Sequence, residues 1–74
     1  MNIENLVKMA NQIENYFRSE PNHEAAISGI ETHLRRFWDP RMRKEIVEHV
    51  GHGGEGLGNM AKAAVERLAA PKSQ

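Results

Sequence analysis

The residue types best suited to chemistry in this sequence lie in one stretch, residues 35–44. The stretch combines five cationic side chains with the single tryptophan and one of the two phenylalanines of the chain. Arginine makes planar, bidentate contacts with carboxylates and tryptophan buries a large rigid surface, so together they favour a protein–protein interface. We predict that five residues contact a partner: Arg35, Arg36, Trp38, Arg41 and Arg43. An alternative stays open, in which Phe37 and Trp38 anchor the core and the arginines form a solvated face.

The sequence offers no recognisable catalytic or cofactor-binding set. Gly51, Gly53 and Gly56 match the dinucleotide-binding spacing, but that fingerprint works after a strand, and a helical pattern precedes these glycines. His49 and His52 lack the third ligand of a catalytic zinc site and fit better as solvated histidines at a helix end. Since cysteine is absent, no thiolate can act as a nucleophile or hold an iron–sulfur cluster. We therefore predict that the chain is not an enzyme and binds no metal or cofactor.

Charge is distributed unevenly along the chain. Ten Lys and Arg balance ten Asp and Glu over the 74 residues, yet residues 1–34 carry −3, residues 35–44 carry +4 and residues 45–74 carry −1. Zero net charge argues against general nucleic-acid binding, which needs a cationic surplus. A small helix-turn-helix DNA-binding regulator remains an alternative, with a turn at Asp39-Pro40 that leads into a recognition helix. Two glutamates on that helix disfavour this alternative.

No segment of the sequence is typical of a membrane protein. The mean hydropathy is −0.66, and no apolar run approaches the roughly 20 residues needed to cross a bilayer. The first residues lack the basic and apolar regions of a secretory signal. We therefore expect a cytoplasmic protein that does not bind membranes.

Apolar residues recur at helical spacing and predict an all-α fold. The expected architecture is a compact bundle of three to four short helices, over about 2–19, 23–38, 40–50 and 57–69. Asn2 and Asp39 are suitable N-cap residues, and Pro40 fits the first position of the third helix. Pro21 ends the first helix because proline disfavours helical geometry at the residue before it.

The predicted helices form a single domain that spans all 74 residues, with a flexible Gly-rich linker at 51–56 and a polar tail at 71–74. Tyr16 and Phe37 fall on the apolar stripes of the first two helices, and Phe37 is either a core anchor or part of an interface. Gly29 lies inside the second predicted helix and weakens it. It either permits the close approach of a neighbouring helix or only lowers helix propensity.

Two stretches of the sequence carry a family resemblance. They are Met9-Ala10-Asn11-Gln12-Ile13 followed by Tyr16-Phe17, and His33-Leu34-Arg35-Arg36-Phe37-Trp38-Asp39-Pro40-Arg41-Met42-Arg43. With these motifs the chain resembles the delta subunit of NAD-dependent formate dehydrogenase. The resemblance covers about residues 6–50 and continues more loosely from Leu57 to Leu68. Residues 51–56 match nothing diagnostic and receive no role.

The resemblance implies a small, non-catalytic subunit of a soluble, oxygen-tolerant complex that oxidises formate and passes electrons to NAD. In such a complex the alpha subunit carries bis-molybdopterin guanine dinucleotide, with molybdenum or tungsten, and iron–sulfur clusters. The beta and gamma subunits carry FMN and further clusters, and the delta subunit binds none of these cofactors. The implied role of the chain is to support assembly or stability of the alpha subunit, and through it to join the beta and gamma subunits.

Two questions stay open at the level of sequence. The chain is either a permanent subunit or a transient chaperone for insertion of the molybdenum cofactor. The apolar faces of the short helices also exceed what so small a core can enclose, so we expect that the isolated chain is able to self-associate.

Overall fold

The computed structural model describes residues 2–70 and has four helices in this part of the chain. They are α1 (Ile3–Phe17), α2 (His23–Phe37), α3 (Pro40–Gly51) and α4 (Asn59–Ala69). Residues 2–70 contain no strand, and the predicted all-α bundle is confirmed. Helix α1 ends two residues earlier than predicted, and α4 begins two residues later. The predicted tail at 71–74 lies outside the described residues.

Three of the helices begin with a side-chain cap from their own sequence. The Asn2 side-chain oxygen accepts a hydrogen bond from the Glu4 N–H at 2.7 Å, and Asp39 accepts from the Met42 N–H at 2.9 Å. These two caps were predicted. Asn22 caps α2 in the same way, through the Ala25 N–H. Each cap satisfies a backbone donor that the helix itself leaves unpaired, and so fixes where the helix starts.

Helix α4 receives its N-terminal cap from another helix. Its N-cap residue, Gly58, has no side chain that could accept a hydrogen bond. The Glu14 carboxylate of α1 accepts from the Ala61 N–H at 2.8 Å instead, and a Cβ at Gly58 would lie only 2.3 Å from that carboxylate. Asn11, one turn earlier on α1, donates to the Gly56 carbonyl at 2.8 Å and accepts from the Gly58 N–H at 2.9 Å. Two side chains of α1 therefore hold the start of α4.

The segment between α3 and α4 has a backbone conformation that requires glycine. Gly53 and Gly54 have positive φ angles of 113° and 65°, which residues with a side chain rarely adopt. The Gly54 N–H donates to the His49 carbonyl at 2.9 Å, so this backbone geometry closes the C-terminal end of α3.

The core lies between α2 and the other helices, and α2 packs mainly against α4 and α1. Its members are apolar side chains from all four helices and the residue after α2: Leu6, Ala10, Ile27, Ile30, Leu34, Trp38, Ile46, Ala61, Ala64 and Val65. Tyr16 and Phe37 lie on the apolar stripes of α1 and α2 but not in the core, so the core alternative does not hold for Phe37. Their exposed fractions are 78% and 70%, because no described helix packs over the surface that they occupy on α1 and α2.

The contact between α1 and α2 depends on Gly29. A Cβ at this position would lie 2.4 Å from Cε1 of Phe17, far inside van der Waals contact. Of the two alternatives for Gly29, the structure therefore supports close approach: the missing side chain lets the Phe17 ring lie against the α2 backbone.

We predict that Gly29→Ala destabilises the fold although alanine is the better helix former. The substitution gains about 1 kcal/mol of helix propensity, but displacing the Phe17 ring costs about 1–3 kcal/mol as overpacking. Urea unfolding should give a net loss in the single variant and recovery when Phe17→Leu is added. Gly51→Ala is the matched control, since a Cβ there meets nothing within 4 Å. Equal stability of the two single variants would contradict the proposed contact.

We also predict that Glu14→Ala lowers the free energy of unfolding by about 2 kcal/mol, because the buried Ala61 N–H loses its acceptor. For a domain of this size the midpoint of thermal unfolding should fall by roughly 10 °C. Glu66→Ala is the control: Glu66 is exposed on α4 and its carboxylate has no hydrogen bond within residues 2–70, so the change should stay within about 0.5 kcal/mol. A similar effect of both substitutions would show that the cap is dispensable.

Candidate interaction site

A groove opens beside the exposed aromatic residues of α1 and α2. Its first part is a hollow of about 510 Å³, lined by Met9, Gln12, Ile13, Tyr16, His33 and Trp38. A second hollow of about 400 Å³ shares His33 and is lined also by Phe17, Gly29, Thr32, Arg36 and Phe37. We call the two hollows together the aromatic groove.

The aromatic side chains of the groove contact one another in pairs. The ring centroids of Tyr16 and Phe17 are 5.1 Å apart, with the planes at 87°, and those of His33 and Phe37 are 4.7 Å apart at 41°. Within each pair one ring is half-buried and its partner is exposed. Exposed rings close to an apolar hollow are typical of surfaces that bind another molecule.

The five residues predicted to contact a partner separate into three structural groups. Trp38 is 5% exposed and belongs to the core, and only a narrow edge of it lines the groove. This supports the core alternative for Trp38 in the chain by itself. Arg35 forms an ion pair with Glu31 at 2.9 Å and donates to the Arg67 carbonyl at 3.4 Å. It therefore connects α2 to α4.

Arg43 fulfils an internal role of a different kind. Its guanidinium reaches from α3 to the C-terminal end of α2, where it donates to the Arg35 carbonyl at 3.2 Å and to the Trp38 carbonyl. Carbonyl groups at the end of a helix lack partners within that helix, and a cation is favoured there by the helix dipole. Arg43 thus caps α2 and fixes the backbone of the buried tryptophan.

Arg36 and Arg41 make up the third group. Both are exposed, and neither guanidinium has an ion pair or hydrogen bond to any residue in the range 2–70. Arg36 also lines the aromatic groove beside Phe37. A partner contact from any of the five residues stays a prediction, but these two cations have a charge that the described chain leaves without an internal partner.

Sequence reasoning missed the role of Tyr16 and Phe37 as surface residues, although both lie in the motifs that carry the family resemblance. A signal was present: the apolar stripes were too wide for so small a core. The stripe alone does not say which of its residues the other helices cover, so Tyr16 and Phe37 were indistinguishable from core residues.

The described residues were compared with the patterns of a metal site and of a membrane-spanning helix. Within residues 2–70 no group of three or more His, Cys, Asp or Glu side chains converges on a common point. His49 Nε2 lies 2.8 Å from the Glu55 carbonyl oxygen and His52 Nδ1 lies 2.9 Å from the Glu48 carbonyl oxygen. No helix in this part of the chain is both long and apolar enough to span a bilayer.

A small all-α structure with an uncovered aromatic groove and an unpaired arginine in its lining is typical of proteins that act by binding another protein. Comparison with known families places the chain more narrowly. Residues 5–65 match the family model described as NADH-dependent formate dehydrogenase delta subunit, FdsD, and the chain belongs to this family. The resemblance inferred from the sequence is confirmed. Searches among curated proteins and among solved structures gave no significant match.

We predict that Arg43→Ala destabilises the isolated chain by about 2 kcal/mol, because two carbonyls at the end of α2 lose a charged donor. Arg41→Ala is the matched control and should change the free energy of unfolding by less than about 0.5 kcal/mol. Urea denaturation followed by circular dichroism measures both. The internal role of Arg43 would be refuted by equal stabilities of the two variants.

Proposed function

We propose that this chain is a non-catalytic subunit that supports assembly or stability of the catalytic alpha subunit of a formate dehydrogenase. Membership of the delta-subunit family supports a place in that complex. The observation that carries the proposal is the position of Arg36, an unpaired cation beside the exposed ring of Phe37. Such a combination favours binding to a partly apolar, acidic protein surface.

The physical mechanism is stabilisation by mass action. A chain that binds the folded alpha subunit and not its unfolded form shifts the folding equilibrium of that subunit. The stabilisation is about 2.7 kcal/mol when the free chain is at 100 times its Kd. The alpha subunit that is expected to carry the molybdenum cofactor and iron–sulfur clusters would then be held in its loaded, folded state without any chemistry from this chain.

The cations of residues 35–44 would serve this role unequally. Arg35 and Arg43 are engaged within the chain, and Trp38 is in the core. Substitution of any of these three therefore affects the fold before it affects a partner. Among the five residues predicted to contact a partner, Arg36 and Arg41 are therefore the two at which loss of binding can be measured without loss of structure.

We predict that Arg36→Glu and Arg41→Glu each weaken retention of this chain in the complex. All subunits are produced together, the complex is purified through a tag on the alpha subunit, and the amount of this chain is measured. Each charge reversal should lower the affinity about tenfold, since a rim cation next to a carboxylate then becomes a like-charge contact. The thermal half-life of formate-dependent NAD reduction should shorten in parallel.

Lys8→Glu is the matched control because it changes net charge by the same amount on the polar face of α1. If all three variants lose retention equally, the change in net charge explains the effect and no specific contact of Arg36 or Arg41 is needed. Full retention of both arginine variants would refute the proposed contact. Absence of the chain from the mature, cofactor-loaded complex would make it a transient assembly factor instead of a permanent subunit.

A further inference from the structure

We propose that the aromatic groove receives an amphipathic helix of the catalytic partner subunit, which inserts apolar side chains beside Tyr16 and Phe37 and pairs a carboxylate with Arg36. This inference rests on the proposed function and adds the chemistry of the segment that is bound. Recognition of an amphipathic helix by an apolar groove is a common mode of protein–protein binding, with anchors spaced three or four residues apart.

The groove is suited to such a helix because its walls are aromatic and its floor is fixed. Tyr16 and Phe37 offer exposed rings on two different helices, and they flank hollows of about 510 and 400 Å³ that meet at His33. Apolar side chains of a helix that crosses His33 would enter both hollows. Large aromatic residues that become buried at the centre of an interface contribute most of its binding energy.

The floor does not need to rearrange when a ligand binds. The backbone of Trp38 is held on both sides, since its N–H donates to the Leu34 carbonyl at 3.1 Å and its carbonyl accepts from Arg43. The wall between the helices is held by the close contact of Phe17 with Gly29. A surface that is ordered before binding loses less conformational entropy on association, which favours affinity.

The charge of the lining selects an acidic partner. Arg36 is the one ionised side chain of fixed charge in the lining of the two hollows, and no Asp or Glu lines either of them. Arg36 is also unpaired within residues 2–70. A partner helix that packs its apolar face here gains affinity by placing a carboxylate beside Arg36, because a guanidinium that loses part of its water at an interface is stabilised by a counter-charge.

The same charge disfavours a second copy of this chain as the occupant. In a two-fold symmetric dimer the same surface meets itself. Each Arg36 would then face a groove that contains another Arg36 and no carboxylate. An acidic helix of a different protein satisfies the cation, and a copy of this groove does not.

The proposal is tested on the purified complex, produced from all subunits together. The photo-reactive amino acid p-benzoyl-phenylalanine replaces Phe37, and in a control preparation it replaces Lys8. After illumination, mass spectrometry identifies the crosslinked peptide. The expected product is a peptide of the alpha subunit that has apolar residues at helical spacing and at least one Asp or Glu. The Lys8 position should not crosslink to that peptide.

Two sets of variants complete the test. Tyr16→Ala combined with Phe37→Ala should weaken association about 30-fold or more, the effect expected for removal of interface anchors. Both rings are exposed, so the thermal midpoint of the free chain should hardly change. Arg36→Glu should be rescued when the carboxylate of the crosslinked peptide is replaced by arginine.

The outcomes separate this inference from the proposed function. If the chain is retained in the complex but position 37 crosslinks to no partner peptide, the groove is not the site and the proposed function stands. A crosslinked partner peptide without a carboxylate would refute the pairing with Arg36. Crosslinks between two copies of this chain would show that the groove binds a second copy, and they would refute the proposed partner helix. If the chain is absent from the mature complex, it is not a permanent subunit, and the inference about a helix bound in that complex fails as well.

Discussion

The hydrogen bond from the Ala61 N–H to the Glu14 carboxylate is the contact on which the arrangement of the helices depends. Helix α4 has no cap in its own sequence, so its first turn is satisfied only where α1 offers an acceptor. Together with Asn11 this bond positions α4 along α1, and α4 in turn packs against α2. A carboxylate at a helix N-terminus also interacts favourably with the helix dipole.

The position of α4 also explains why α1 has a surface left over. The face of α1 that carries Leu6, Ala10 and Glu14 packs into the core and caps α4. On the adjacent face Met9 and Ile13 are only partly buried and Tyr16 is exposed, and these three residues form one wall of the aromatic groove. A four-helix chain of this length encloses one small core, and it cannot bury two apolar faces of the same helix.

The arginines of residues 35–44 have two different roles: some stabilise the fold, and others keep an unpaired charge at the surface. Arg43 stabilises the end of α2, and in doing so it holds the backbone at Trp38 below the groove. Arg36, which lies in the chain between the two residues whose carbonyls Arg43 binds, remains unpaired at the groove itself. The proposed partner contact therefore combines an ordered backbone with an adjacent unpaired charge. This combination favours a specific complex over non-specific association.

The sequence by itself determined the helices, two of the caps and the family, because these depend on residues close together in the chain. Caps at Asn2 and Asp39 act across two or three residues. The Glu14 cap joins residues 47 positions apart, so only the tertiary structure could reveal it. The same holds for the separation of Arg36 from Arg43 and of Phe37 from Trp38. Neighbouring residues of the same type differ in role because packing decides which face another helix covers.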